Sequence, residues 1–335
     1  MKSTVIPGKM KWWQGLILVI VPILSALICL CIGRMQISPG EMFFSLFGGD
    51  LGPNKESVLW MQRLPRILTA TLVGAGLSVS GCVFQSMFSN PLATPDTLGV
   101  ASGASFGAAL AILLGLSFIG VQLVAFFFGL AAVVLAAAIS WKKSNNRATI
   151  ILAGIMISSL FSALVSLVKY MADTESQLPA ITYWLMGSLS ASGYTSIKMA
   201  APTILIGIFF IFLLRWRLNL LPLSEDESKT FGTNIRALRI VSAMCATSIT
   251  ASCVAMCGQV GWVGLLVPHI CRMGFGNNHI SLIPASISLG AAFMIFVDTA
   301  ARSMTAAEIP VSVLTAIIGA PVFIAMMHRS GGWSL

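Results

Sequence analysis

Apolar runs long enough to cross a bilayer recur along this chain from one end to the other, and that recurrence limits the fold more than any single motif. A helical span takes roughly 20 residues. Stretches of about that length fall at about 13–33, 58–88, 97–116, 119–141, 148–170, 198–217, 238–257, 260–275, 281–302 and 311–329. The eighth is short and interrupted by glycine and proline. Charge is correspondingly scarce: 20 Lys and Arg and 11 Asp and Glu in 335 residues, where a soluble domain carries about a quarter of its residues charged. The expectation is an all-α polytopic membrane protein of about ten transmembrane helices, with residues 1–335 forming one membrane domain. A cytosolic enzyme, a disordered chain and a nucleic-acid-binding protein are excluded. The formal net charge of +9 does not reopen that last class, because the basic residues lie between the apolar runs and there orient a membrane protein.

Their distribution predicts that orientation. With ten spans and an inside N-terminus, 13 of the 20 basic residues fall on the cytoplasmic side, so both termini are expected in the cytoplasm. The run Leu16 to Ile32 follows Lys2, Lys9 and Lys11 with no small-residue cleavage site after it, and reads as an uncleaved first span. Four of the outside cations, Arg63, Arg66, Lys198 and Arg302, cluster at span ends.

All seven cysteines lie within or at the end of apolar segments, where thiols behave as small hydrophobes. Cys253 and Cys257 share a helix face without a matching His or acid, so packing is preferred to a metal pair. Acids are nearly absent from the spans. Asp298 is the one expected inside a helix, four residues before Arg302, where opposite charges lower each other's cost. The sequence has no G-x-x-x-x-G-K-[ST] phosphate loop, no zincin spacing among His269, His279 and His328, and no Ser/His/Asp set. Catalysis finds no support, and a transport pathway powered from outside the chain follows.

Small residues repeat at Gly99, Gly103 and Gly107 and at Gly74, Ser78 and Cys82. Such rows permit close helix approach in lipid or line a wide pathway, and spacing alone does not separate the two. Ser38-Pro39-Gly40-Glu41 reads as the start of a short amphipathic helix. Residues 218–239 form the longest polar stretch, with Ser224 followed by Glu225, Asp226 and Glu227 as a helix start. That stretch is either a solvated loop or a short cytoplasmic helix that touches another protein.

Six blocks point to one family. Arg63-Leu64-Pro65-Arg66 runs into GAGLSVSGCVFQSMFSNPLATPDTLGVASGASFG (74–107), followed by LAGIMISSLFSALVSL (152–167) and the polar stretch 218–239. GQVGWVGLLVPHICRM (258–273), then DTAAR (298–302) and EIPVSVLTAIIGAPVFIAMM (308–327), complete the set. In order and spacing the chain resembles the FecCD-type permease subunits of type II ATP-binding-cassette importers for iron-siderophores, haem and cobalamin.

That resemblance implies a ten-helix subunit in a bacterial plasma membrane, paired with a second permease subunit, identical or paralogous. Two ATP-binding subunits drive it, and an extracytoplasmic binding protein delivers the ligand. It implies no cofactor on this chain, since ATP and magnesium belong to the partner subunits. Arg63, Arg66 and Arg302 match the family's docking arginines, and guanidinium meets carboxylate bidentately. The segment 218–239 matches the coupling element, with Glu225, Asp226 and Glu227 facing basic groups of the ATPase and Phe231 as a hydrophobic plug. The family's cytoplasmic gate falls near Asn145 and Asn146, although Arg147 is an unusual neighbour for it. The fifth span would line the pathway, where Ser158, Ser162 and Ser166 share a face at i,i+4. Serines in membrane helices also bond their own backbone, and both readings stand at this point. The expected function is the permease of an iron-siderophore importer, with cobalamin or haem as alternative cargo and an ion-coupled secondary carrier as the rival class. Arg63→Glu with Arg302→Glu is expected to abolish uptake while leaving the permease–ATPase complex intact.

Overall fold

The computed structural model describes residues 11–141, 147–223, 230–305 and 307–329. Twelve helices occur among them, and the strand assignment is empty over the same residues. They are α1 (Trp12–Cys31), α2 (Pro39–Leu46), α3 (Pro53–Met87), α4 (Val100–Leu113), α5 (Phe118–Trp141) and α6 (Arg147–Met171). Then follow α7 (Gln177–Leu185), α8 (Tyr194–Leu214), α9 (Ile235–Cys257), α10 (Val263–Phe275), α11 (His279–Ser303) and α12 (Val311–Arg329). Seven are long and apolar enough to cross a membrane (α1, α3, α5, α6, α8, α9 and α11). Three shorter apolar helices, α4, α10 and α12, complete the ten apolar helices where the sequence places spans.

Helix α3 is the centre. It is buried almost all round from Val73 to Met87, a position that α9 and α11 share in part. Burial on every side requires small contact residues. Without a hydrophobic drive between helices in lipid, close backbone approach supplies the packing. A Cβ on Gly74 would lie 2.1 Å from the Gly290 carbonyl oxygen, and one on Gly81 would lie 1.9 Å from that of Gly264. The row Gly103 and Gly107 meets the α5 backbone in the same way, 2.5 Å from Phe128 O and 2.6 Å from Val124 O. The two small-residue rows are therefore helix-crossing surfaces. Phe106, Phe128 and Phe161 fill the space where α4, α5 and α6 meet, with ring centroids 5.0 to 6.3 Å apart.

Helix α2 begins where its sequence indicates. Ser38 Oγ accepts from Glu41 N at 3.2 Å and Glu41 Oε2 accepts from Ser38 N at 2.8 Å, the reciprocal capping box. Three features depart from the sequence reading. Helix α3 starts at Pro53, through a π-helical stretch Ser57–Arg63, rather than near residue 58. Helix α7 was not foreseen, because its one fully buried side chain, Ile181, gives too little periodicity to read. The connection into α10 turns at Trp262, whose φ of 69° is costly for an aromatic residue. Gly319 makes room for its indole, since a Cβ there would come within 2.9 Å of the ring.

The chain has two ends. One gathers the C-terminus of α1, the start of α3 and the C-terminus of α11, and contains the arginines. The opposite end gathers the C-terminus of α3, the start of α11, the end of α10 and the 3₁₀ turn Arg217–Leu220.

Candidate functional site

The arginine end starts from a helix terminus with unmet needs. Helix α1 has no basic residue in its last turn, and its final carbonyls have no intrahelical partner. Guanidinium groups from two other helices fill that role. Arg63 Nη1 donates to Leu30 O at 2.7 Å and to Cys31 O at 3.2 Å, and Nη2 donates to Met35 O. Arg302 Nη2 donates to Cys29 O at 2.6 Å. Positive charge at a helix C-terminus also complements the macrodipole. Gly33 leaves space for both groups: a Cβ there would lie 2.5 Å from Arg63 Nη2 and 3.1 Å from Arg302 Nη1.

Arg66 is held differently. Its Nε donates to Asp298 Oδ1 and Oδ2 at 3.2 and 3.3 Å, and its Nη2 to Oδ1 at 2.7 Å. Its Nη1 donates to Glu308 Oε1 and Oε2 at 2.7 and 2.9 Å. All three nitrogens are thus spent within the chain. Asp298 does pair with Arg302 as the i,i+4 spacing indicates, but only at 3.8 Å, and its closer partner is Arg66. Glu308 was not singled out in the sequence as a charge partner, because it lies ten residues beyond Asp298, before α12.

Three arginines against two carboxylates leave the cluster with one positive charge in excess. The arginines and Asp298 are enclosed: relative exposure is 3% for Arg63, 8% for Arg66 and Arg302, and 0% for Asp298. The structure brings all three sequence-selected arginines together, but as interior groups. The exposed cation of this neighbourhood is Arg34, whose Nη2 donates to Thr305 O at 2.6 Å. Beside it, Lys55 pairs with Glu41 across the α2 cap. Lys55 and Ser38 together hold the Glu41 carboxyl down at about 2.

Helix α6 presents a long exposed face that includes Leu152, Met156, Ser159, Ser162, Ser166 and Tyr170. The exposed faces of α1 and of α8 beyond Pro202 are built from large apolar side chains, whereas that of α6 carries hydroxyls along its length. Ser158 is turned partly inward. Its Oγ lies 3.1 Å from where a Cβ on Gly99 would sit, and Ser159 takes the exposed position that the sequence reading gave to Ser158. Ser159 Oγ donates to Ile155 O at 2.9 Å and Ser166 Oγ to Ser162 O at 3.1 Å. The hydroxyl protons are thereby satisfied inside the helix, while the side chains stay on the open face. Asn145 and Asn146 lie outside the described residues, as do Glu225, Asp226 and Glu227. Phe231 is described and 59% exposed.

A profile of the FecCD transport family matches residues 18–329. The molybdate import system permease protein MolB of Haemophilus influenzae is 42% identical over 320 residues, covering 94% of each chain. The Fe(3+)-citrate import system permease protein YfmE of Bacillus subtilis is 35% identical over 333 residues, covering 98% of each. Among solved structures, a metal-chelate type ABC transporter in an inward-facing conformation superposes with a TM-score of 0.87 at 41% identity, over 94% of this chain and 98% of that one.

Proposed function

The chain belongs to the FecCD transport family and is a membrane-embedded permease subunit of an ATP-binding-cassette importer, and from that premise we propose that its cargo is an iron–siderophore complex. The observation that carries this reading is the exposed face of α6, which offers hydroxyls and apolar groups from Leu152 to Ser166 and no charge. Moving a bare ion past such a wall costs far more desolvation than moving one whose charge is wrapped in an organic ligand. Molybdate is the second reading, favoured by the relative from Haemophilus influenzae.

In this reading a second permease subunit closes the pathway opposite α6, with Asn145 and Asn146 at its cytoplasmic constriction. Both termini face the cytoplasm, and the arginine end is extracytoplasmic. An extracytoplasmic binding protein delivers the chelate there. Arg63, Arg66 and Arg302 serve that docking from beneath the surface, as a rigid cationic base, while Arg34 meets the acidic groups of the partner directly. At the opposite end the segment 218–239 fits the ATPase, with Phe231 inserted and Glu225, Asp226 and Glu227 meeting basic groups. ATP and magnesium act on the ATPase subunits.

Uptake in cells lacking the gene and in complemented cells tests the reading. Radio-iron on a panel of siderophores and on haem, labelled cobalamin and labelled molybdate are offered with and without ATP depletion. Loss of one iron chelate that tracks the gene and requires ATP is the expected result. Loss of molybdate uptake with all iron chelates unchanged refutes the cargo assignment and leaves the importer class standing.

A further inference from the structure

The first residues of the coupling segment are fastened to the helix bundle by side chains whose partners lie far away in sequence. Asn219, in the 3₁₀ turn Arg217–Leu220, directs its Oδ1 at the first residue of α11. It accepts from the His279 backbone N–H at 3.0 Å and from Nδ1 of the same residue at 2.9 Å. Its Nδ2 donates to Asn278 Oδ1 at 3.1 Å. With Nδ1 carrying its proton toward Asn219, Nε2 is left to the far side of the ring, where Ser86 Oγ lies at 2.5 Å. Ser86 is in the last turn of α3, and its Oγ is also 2.9 Å from Cys82 O. His279 is 5% exposed, so these bonds have little competition from water and hold the three elements in fixed register.

The path continues beyond α3. The chain leaves α3 at Met87 and enters the 3₁₀ turn Pro95–Leu98, which lies against α6. That contact is backbone to backbone: a Cβ on Gly154 would sit 2.0 Å from Thr97 O. Gly99, which closes the turn, adopts φ +83° and meets Ser158. A displacement of residues 217–220 therefore has a continuous route through α11, the end of α3 and the connection 88–94 to the helix with the hydroxyl-bearing face. Packed interiors of this kind move between discrete arrangements rather than deforming smoothly.

We infer that Asn219, His279 and Ser86 are positioning residues that transmit movement of the coupling segment to α3 and, through the turn at 95–99, to α6. The inference rests on the reading of 218–239 as the ATPase-coupling element. Hydrogen bonds of Asn219 to His279 are the step at which the coupling segment grips the bundle, and their loss uncouples the two without removing the ATPase contact.

The test uses the permease assembled with its ATPase subunits in proteoliposomes. Ala163→Cys on the exposed face of α6 reports accessibility to a maleimide, read at that residue by mass spectrometry with and without ATP, magnesium and vanadate. A photocrosslinking amino acid in place of Phe231 reports contact with the ATPase in the same preparations. Asn219→Ala is expected to keep the crosslink, while the nucleotide-driven change in labelling, normalised to ATP hydrolysis in the same preparation, falls by about tenfold. Asn219→Asp retains the oxygen that faces His279 and loses the donor to Asn278, and is expected to recover most of the parental response, an outcome that a general loss of stability would not produce. His279→Ala is expected to behave as Asn219→Ala. If it fails to assemble, the Asn219 pair decides alone. A parental labelling response in Asn219→Ala with the crosslink intact overturns the transmission role. Absence of the crosslink in the parent overturns the coupling-segment reading, and the inference with it.

Discussion

Replacing Asp298 by alanine strips the arginine end of its central carboxylate. In the intact protein Asp298 has no exposed surface, takes three hydrogen bonds from Arg66 and faces Arg302 Nε at 3.8 Å. Removing one partner of a buried pair costs about 3–5 kcal/mol, because the remaining charge stays enclosed and uncompensated. Here Glu308 still holds Arg66 through Nη1, and its side chain is 30% exposed, which places the loss near the lower bound, about 3 kcal/mol. At about 1.4 kcal/mol per decade, local opening of this end becomes about 100-fold more frequent. Cys29 reports it directly. Its thiol is fully buried and its carbonyl is the acceptor of Arg302, so a thiol reagent reaches it only when α1 lifts from α11. In native-state labelling followed by mass spectrometry, Asp298→Ala should raise the Cys29 rate by about two decades. Arg66→Met combined with Asp298→Leu should recover part of the protection, since an apolar pair of similar size carries no desolvation debt, Glu308 has a side chain 30% exposed to water and Arg302 keeps the Cys29 carbonyl. A Cys29 rate in Asp298→Ala within a few-fold of the parent would refute the reasoning, and so would a double variant as reactive as the single one.

Gly81→Val should prevent stable folding, since its Cβ alone would lie 1.9 Å from Gly264 O and backbone must move to admit it; detergent-extracted yield and the size-exclusion profile read the outcome, where Ala at the exposed Gly40 should be silent. The Glu41 carboxylate lies at about 2 in the folded protein, below its unfolded value, so its stabilisation of α2 is fully present above the ordinary carboxylate range and is lost as pH falls through about 2. Amide exchange within α2, corrected for intrinsic rates, should therefore be flat from neutral pH down to about 5 and rise as pH falls from there towards 2, and Glu41→Gln should weaken protection at neutral pH. Arg63→Glu with Arg302→Glu should fail to assemble at all, contrary to what the sequence suggests, because both carboxylates would be buried beside Asp298 and the carbonyls of α1. Arg34→Glu, at an exposed position, should leave the permease–ATPase complex intact and slow association of the binding protein in a salt-dependent way, measured by surface-bound kinetics.

Apolar length and charge spacing alone give the sequence a readable architecture. Ten apolar segments, the α2 cap at Ser38 and the family blocks are local patterns, and in lipid a helix satisfies its own backbone wherever its sequence is apolar. The same locality explains what stayed hidden. Gly103 and Gly107 read as packing or as lining, because the difference lies in whether α5 is opposite them. Arg63, Arg66 and Arg302 are conspicuous at span ends, yet their burial depends on the open carbonyls of α1 and on Glu308, which is 242 residues from Arg66. Ser158 and Ser159 are adjacent, and only the approach of Gly99 turns the first away from the open face. Asn219 and His279 sit 60 positions apart with nothing in either neighbourhood to join them. Sequence determines which segments enter the membrane, since that is a transfer free energy of each segment by itself. Tertiary structure decides which polar groups meet once they are there, since a buried charge or amide takes its partner from whichever helix the packing brings within 3 Å or so.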